Sequence, residues 1–383
     1  MGRMFEGSDL LVRFLRNPDA VSGYGPADFD LLLRQARSAD LLARVAVMVE
    51  DRRCAALTPA NAPLQVPVGF VAQTDGVLRK LRAHRAEVAR ELAFLGQALQ
   101  GLGLQVVLLK GAAYLAAGLP PARQGRLFSD LDILVPKGRL PDVESALMQH
   151  GWIGTHDEPY DQRYYRQWMH ELPPLVHVRR QTALDVHHTI SPPVSRWPVD
   201  GAALLEQAQP LAGMPGVSVL APCDMVLHSM LHLLINEELS HGLRDLSDID
   251  LLLRHFAQAE PGFWPALQGR ARELKLLRPL HYALRLVRDV LGTPVPDDVL
   301  AATRPASAWP AGPLLLAAWR SALSAPHLSM GWALPTAARG LLYVRATWIR
   351  MPPLMLARHL WIKAWRRRET AAEKPLDKPE RIG

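Results

Sequence analysis

The sequence has few cysteines and no long apolar run, and both absences exclude classes of protein. Its 383 residues include two cysteines, Cys54 and Cys223, which are too few for a disulfide framework or a zinc ligand set and suit a reducing compartment. Residues 1–18 lack the apolar segment of a signal peptide. The uncharged stretch 321–338 contains two prolines and several polar residues, which argues against a transmembrane helix. These absences predict a soluble, cytoplasmic protein.

Composition and proline spacing predict a globular chain of several parts. Apolar residues make up 49% of the sequence and charged residues 21%, which is ordinary for a folded protein. The length suffices for a large core. Many of the 32 prolines cluster between periodic segments. From these breaks we expect a helical lead-in (1–73), an α/β core (74–200), a helical domain (201–300), a C-terminal helical segment (301–368) and a disordered tail (369–383).

The chain carries a formal net charge of +7, and much of the excess lies in roughly the last fifty residues. A positive surface could meet RNA, DNA or an anionic membrane. No zinc finger, RNP motif or heptad-linked basic region accompanies the charge. Nucleic-acid binding therefore remains an interpretation without a supporting motif.

The segment 348–368 mixes tryptophans and leucines with a basic flank. This composition is typical of a helix that lies on an anionic membrane surface. It equally fits a C-terminal helix that packs its apolar side on the protein body and exposes its arginines. The sequence leaves both interpretations open, so peripheral membrane contact is a hypothesis here.

Hydrophobic periodicity predicts an α+β fold. Apolar residues at helical spacing indicate helices, and short apolar or alternating runs indicate strands. We expect strands over 105–109, 130–135, 174–178 and 184–190, and helices over 74–102, 112–117, 141–150, 223–236, 243–256 and 263–291. The predicted architecture is a mixed α/β core with a small mixed sheet, flanked by N-terminal helices and a C-terminal helical region.

The strand predicted over 130–135 begins with Asp130 and Asp132, whose side chains alternate onto the same face. Two ionised carboxylates held side by side repel each other, and a divalent cation is the usual compensation. Asp185, on a later strand, is the candidate for a third acid. An isolated Asp-x-Asp is also compatible with solvated aspartates on an edge strand, or with an aspartate that caps a turn.

Histidines form two further patterns. His228 and His232 are four residues apart on a predicted helix, without the glutamate of a metalloprotease helix between them. They could be packed, face a substrate or bind zinc, and the first two interpretations are favoured. On the last strand, alternation places His187 on the face of Asp185 and His188 on the opposite face.

Three segments together resemble a known family. They are Leu-Leu-Lys-Gly at 108–111, Arg-x-x-Ser-Asp-Leu-Asp-Ile-Leu-Val at 126–135 and Leu-Asp-Val-His at 184–187. In this order they resemble the bacterial, uncharacterised nucleotidyltransferase family of the DNA polymerase β superfamily, in which a glycine turn precedes an Asp-x-Asp strand and a third acid follows. The resemblance covers about residues 25–255 and includes Arg-Asp-Leu-x-Asp at 244–248.

The resemblance implies nucleotidyl transfer from an NTP by a two-metal mechanism. Asp130 and Asp132 would hold Mg²⁺ (or Mn²⁺) against the triphosphate. Asp185 would complete the metal site on the nucleophile side and help to deprotonate an attacking hydroxyl.

The resemblance also assigns a nucleotide-binding side. Gly111 would let the backbone approach phosphate oxygens, beside the N-terminus of the following helix. Lys110 and Arg126 would neutralise charge on the leaving pyrophosphate, although either could also be a solvated surface charge. Ser129 would hydrogen-bond a phosphate or the backbone.

The acceptor is open. The sequence is compatible with a small molecule, a saccharide, a protein side chain or an RNA end. His228, His232, Arg244 and Asp248 are candidates for the acceptor side of the cleft. The alternative function is a non-catalytic nucleotide-binding protein, or a toxin–antitoxin-type regulator, on the same fold. A tRNA-modifying nucleotidyltransferase toxin lies between these two.

Overall fold

A computed structural model describes residues 9–55, 64–156, 158–305, 312–331 and 333–357. The tail predicted over 369–383, and the part of the segment 348–368 that follows residue 357, lie outside the described residues.

The described chain forms one mixed sheet, and helices precede and follow its strands along the sequence. The strands are β1 (Val106–Leu108), β2 (Asp130–Leu134), β3 (Trp152–Gly154), β4 (Leu175–His177), β5 (Ala183–His187), β6 (Gln209–Pro210) and β7 (Val217–Val219). The helices are α1 (Leu10–Arg16), α2 (Pro26–Ser38), α3 (Leu42–Ala55), α4 (Val68–Leu99), α5 (Lys110–Ala116), α6 (Pro120–Arg123), α7 (Leu140–Gln149), α8 (Pro159–Trp168), α9 (Gly201–Glu206), α10 (Pro222–Ile235), α11 (Gly242–Ala259), α12 (Phe263–Glu273), α13 (Leu277–Leu291), α14 (Asp297–Thr303), α15 (Gly312–Ala322) and α16 (Ala333–Arg350). The predicted α+β class is confirmed.

The sheet places the predicted acids at its centre. Its seven strands lie in the order β3-β4-β5-β2-β1-β7-β6. Strand β2 runs parallel to β5 and antiparallel to β1, while β1 runs parallel to β7. Strands β1, β2, β4 and β5 are the ones predicted from the sequence, and the inner strands among them have the strong hydrophobic signal of buried strands.

Three strands were not predicted, namely β3, β6 and β7. Each has two or three residues, too few for an alternating pattern to stand out from a loop. They are recognisable only by pairing: β3 with β4, and β6 with β7, which in turn pairs with β1.

Helix boundaries also differ from the predictions where backbone geometry or exposure overrides the apolar pattern. The helix expected from residue 74 begins at Val68, directly after Pro67, and its first turn has few buried side chains to signal it. The helix expected over 263–291 is divided into α12 and α13, because Lys275 adopts a left-handed conformation (φ 59°). The proline-rich break after residue 292 contains a short helix, α14.

The C-terminal helix α16 is attached to the body. It buries Leu342, Ala346 and Ile349, and the Ile349 carbonyl accepts a hydrogen bond from the Arg196 backbone N–H (2.9 Å). Arg345 donates to the Leu234 carbonyl of α10 (3.0 Å). In the segment 348–368, up to residue 350, Ile349 is buried whereas Trp348 is 46% exposed. Within the described ranges, every helix is too short or too polar to cross a membrane.

Candidate active site

The parallel pairing of β2 with β5 brings two predicted acids together. Asp132 and Asp185 are register partners, and Asp130 lies opposite Ala183. Asp132 is 3% exposed, whereas Asp185 is half-buried. Leu131, which lies between Asp130 and Asp132 along β2, is buried in the core, as is its register partner Leu184. Period-two alternation therefore produces one apolar face and one acidic face on the same pair of strands.

Asp132 is held by two hydrogen-bond donors. Its Oδ1 atom accepts hydrogen bonds from Lys110 Nζ (2.8 Å) and from His187 Nε2 (3.0 Å). Burial alone would raise the pKa of Asp132, but Lys110 and His187 outweigh it and lower that pKa well below its ordinary value. Asp132 is therefore an ionised carboxylate inside the protein. His187 lies on the face predicted by alternation.

Lys110 reaches Asp132 from a strained backbone position at the first residue of α5. Its φ is 43°, a left-handed conformation that a residue with a Cβ adopts at a cost of about 1 kcal/mol or more. Strain of this kind persists where the surrounding structure fixes it, often at functional sites. The adjacent Gly111 has a packing reason as well: a Cβ there would lie 2.5 Å from the Phe128 ring. The glycine therefore lets α5 approach Phe128 closely.

Asp185 has too little positive charge around it. Burial first, then Glu171 and Asp132, raise the pKa of Asp185 to about 7. Ligand atoms of Asp132, Asp185 and His187 all lie within 4.8 Å of one another. Carboxylate oxygens are the ligands that Mg²⁺ and Mn²⁺ prefer. The residues therefore fit a divalent cation, which would supply the charge that Asp185 lacks.

Asp130 and Ser129 lie at the start of β2, nearer the surface. Asp130 is half-buried, and Ser129 Oγ donates to its Oδ1 atom (3.3 Å). The metal-capable groups among the described residues include Asp132 but not Asp130. The structure thus brings two of the three predicted acids into one group and leaves Asp130 beside it.

Comparison with known protein families agrees with this geometry. The model of a family described as an uncharacterised nucleotidyltransferase matches residues 25–292. The chain belongs to this family. The resemblance predicted from the sequence is confirmed, and membership supports a general role in nucleotidyl transfer. No curated protein and no solved structure gives a significant match to the chain.

In this nucleotidyltransferase-family protein, Arg126 is buried in an ion-pair network instead of standing free in the cleft. Its guanidinium lies 3.0 Å from Asp248 Oδ2 and 3.5 Å from Asp245 Oδ1. Arg44 of α3 pairs with the other oxygen of Asp248 (2.6 Å) and donates to Ser247. Arg126 Nε and Nη1 are both buried without a hydrogen-bond partner. Its proposed nucleotide contact stays a prediction.

The residues expected on the acceptor side divide into two groups. His228 is buried on α10, and its pKa is lowered well below the ordinary value by burial and then by Lys110, which indicates that it lies near the acids. His232 Nδ1 lies 3.5 Å from Asp245 Oδ2, and Arg244 pairs with Asp40 and Asp245. Neither histidine belongs to a metal-capable group within the described ranges. Their acceptor role is untested.

Sequence reasoning missed two residues of the site, His170 and Glu171. They precede β4 in a segment without apolar periodicity, so no local pattern indicates them. Tertiary pairing with β5 brings them beside His187. The only sequence signal is the adjacent His-Glu pair itself, which is common on protein surfaces.

Proposed function

We propose that the protein transfers a nucleoside monophosphate from an NTP to an acceptor hydroxyl, with release of pyrophosphate. The observation that supports this best is the register pairing of Asp132 with Asp185, which places the two carboxylates side by side with ligand atoms within 4.8 Å of one another. Paired carboxylates at this spacing suit a divalent cation.

Each side chain has a role in this proposal. A divalent cation held by Asp132 and Asp185, with Asp130 nearby, would neutralise charge on the phosphates and favour ionisation of the acceptor hydroxyl. The Asp185 carboxylate is the group that accepts the hydroxyl proton. Lys110, fixed on Asp132, is the ammonium nearest to the developing negative charge, and it stabilises that charge.

The family resemblance assigns the substrate sides. Gly111, Ser129 and Arg126 are proposed for the nucleotide side, and His228, His232, Arg244 and Asp248 for the acceptor side. The proposal specifies only that the acceptor carries a hydroxyl group. This acceptor is a small molecule, a saccharide, a protein side chain or an RNA end.

The test is transfer of label from each of four α-³²P NTPs to fractions of a bacterial lysate, with Mg²⁺ or Mn²⁺. Wild type should label at least one fraction, and Asp132→Asn and Asp185→Asn should not. Asp75→Asn, which changes an exposed acid on α4, is the matched control and should behave as wild type. Equal labelling by wild type and both site variants would exclude the enzymatic role.

A nucleotide-binding measurement distinguishes the enzyme from the alternative, a non-catalytic nucleotide-binding protein. Binding of the same NTPs is measured by equilibrium dialysis on the same preparations. A protein that binds an NTP through Lys110 and the acids but labels nothing would be the non-catalytic nucleotide-binding or regulatory protein.

A further inference from the structure

Beside the acid pair, three side chains form a second cluster of a different chemical kind. They are His170, Glu171 and His187, and one ligand atom from each lies within 4.8 Å of the other two. Glu171 Oε2 lies 3.4 Å from His187 Nδ1 and 3.7 Å from His170 Nε2. Ligands at 2.0–2.1 Å from a tetrahedral zinc ion are about 3.4 Å apart. The spacing of this cluster therefore already matches a metal site.

Main-chain pairing fixes the cluster. Glu171 forms an antiparallel bridge with His187 at the end of β5. On either side of it, the Leu172 N–H donates to the Val186 carbonyl and the His188 N–H donates to the His170 carbonyl (both 2.9 Å). Because the backbone holds both neighbours of the bridge, the three side chains are positioned before any ligand binds.

The hydrogen bond to Asp132 orients the His187 ring. His187 Nε2 lies 3.0 Å from Asp132 Oδ1, so Nδ1 is the ring nitrogen left for the second cluster. This atom is buried, has no hydrogen-bond partner and faces Glu171. A carboxylate that orients a histidine through its second ring nitrogen is the usual support of a metal-binding histidine.

We infer that His170, Glu171 and His187 form a site for a borderline divalent transition ion, with Zn²⁺ as the best fit. Two imidazoles and one carboxylate are ligands that zinc accepts, whereas Mg²⁺ prefers oxygen alone. The side chains of His170 and Glu171 are 17% and 18% exposed, against 2% for His187. The cluster is thus open on one side, where an ion can enter and water can complete the coordination.

This site differs from the one proposed for nucleotidyl transfer. His187 belongs to both groups of possible ligands, with Nε2 facing Asp132 and Nδ1 facing Glu171. Because a 3.0 Å hydrogen bond engages Nε2, Nδ1 is the atom available to the second site, and Asp132 is the positioning residue of that site. Zinc binding does not depend on whether the protein transfers nucleotides.

The experiment is Zn²⁺ titration of the full chain, stripped with EDTA and dialysed, with no nucleotide and with excess Mg²⁺ to occupy the oxygen-rich site. Wild type should bind one Zn²⁺. His170→Gln and Glu171→Gln should each weaken the binding by about 100-fold, and Asp132→Asn by about 10–100-fold because the His187 ring is less firmly oriented. His150→Gln and Glu206→Gln, which change exposed residues, should bind as wild type.

Asp185→Asn separates the two sites. It should leave zinc affinity within about threefold of wild type, whereas a large loss in this variant alone would assign the zinc to the acid pair and overturn the inference. So would unchanged binding in His170→Gln and Glu171→Gln.

X-ray absorption of zinc-loaded wild type needs no variant and therefore no assumption about folding. Two imidazole ligands are expected, and none or one would contradict the site. Failure of this test leaves the labelling experiment intact, and the reverse also holds.

Discussion

Two clusters of buried charge lie close together in the protein, and they are balanced differently. In the cluster on α11, Asp248 lies between two guanidinium groups, those of Arg44 and Arg126. Its neighbour Asp245 has its pKa lowered, because His232 and Arg126 outweigh the effect of burial. Every acid there has a cation within ion-pair distance.

In the cluster on β2 and β5 the balance is incomplete. Lys110 and His187 both contact Asp132, while burial, followed by Glu171 and Asp132, raises the pKa of Asp185 to about 7. A closed network holds α3, α6 and α11 together, whereas an open one has room for an additional cation. Both clusters are thus buried and contain several acids. They differ in the number of cations that pair with those acids, and we expect the fully paired cluster to stabilise the fold and the incompletely paired one to bind a metal ion.

The largest effect should be on transfer activity in the open cluster. Asp185→Asn removes both a cation ligand and the proton acceptor, so we expect transfer to fall by about 10³-fold or more, or about 4 kcal/mol. Rates of label transfer at saturating Mg²⁺ measure this. Asp75→Asn, which changes an exposed acid outside both clusters, should keep the activity of wild type. A similar loss in both variants would show that the effect is not specific to the acid pair.

The closed cluster should show the largest loss of stability. Asp248→Asn leaves two buried guanidinium groups without their shared carboxylate, which costs about 3–5 kcal/mol of unfolding free energy. Urea unfolding, followed by fluorescence of the tryptophans, gives the value. Asp142→Asn, in an exposed pair with Arg139, is the control and should change stability by less than about 0.5 kcal/mol.

The folded protein should become more stable when the negative charge of Asp185, in the open cluster, is removed. The pKa of Asp185 is about 7 in the folded protein and 3.8 as the reference for an unfolded chain. Between these values the folded state binds a proton that the unfolded state releases, so stability falls as the pH rises and this contribution is lost above pH 7.

Asp185→Asn should therefore be more stable than wild type at pH 8 in EDTA, by an amount on the order of 2 kcal/mol. The advantage should shrink as the pH falls from 7 and vanish near pH 4, where wild-type Asp185 is protonated in both states. Thermal unfolding at both pH values measures the difference. Equal stability of Asp185→Asn and wild type at pH 8 would show that the charge of Asp185 does not destabilise the folded protein.

The smallest effect should come from a charge pair that belongs to neither cluster. Arg34 and Asp30 lie one helical turn apart on α2, with side chains 53% and 62% exposed. Arg34→Ala should change the unfolding free energy by about 0.3–0.5 kcal/mol, and salt should reduce even that. Urea unfolding at low and high salt checks it. A loss above about 1 kcal/mol would mean that exposure is a poor guide to the worth of ion pairs in this protein.

The elements with a strong apolar pattern were predictable, and those defined by pairing were not. Strands β1, β2 and β5 are recognisable from their buried runs, and the α+β class follows from them. Strand β7 has three residues and is recognisable only because it pairs with β1 in parallel. Similarly, α12 ends just before Lys275, which adopts a left-handed conformation that is uncommon for lysine and is therefore not predictable from the residue type.

The sequence by itself determined the family, the Asp-x-Asp strand and the common face of His187 and Asp185, because motif spacing and strand alternation are local properties. Only the tertiary structure decided how the charges are shared. Arg126 stands four residues before Asp130, yet its guanidinium pairs with acids on α11, more than a hundred residues away. His170 and Glu171 join the site through backbone pairing with β5. Whether a buried acid is paired depends on which distant cation reaches it, and that distance is fixed only when the chain folds.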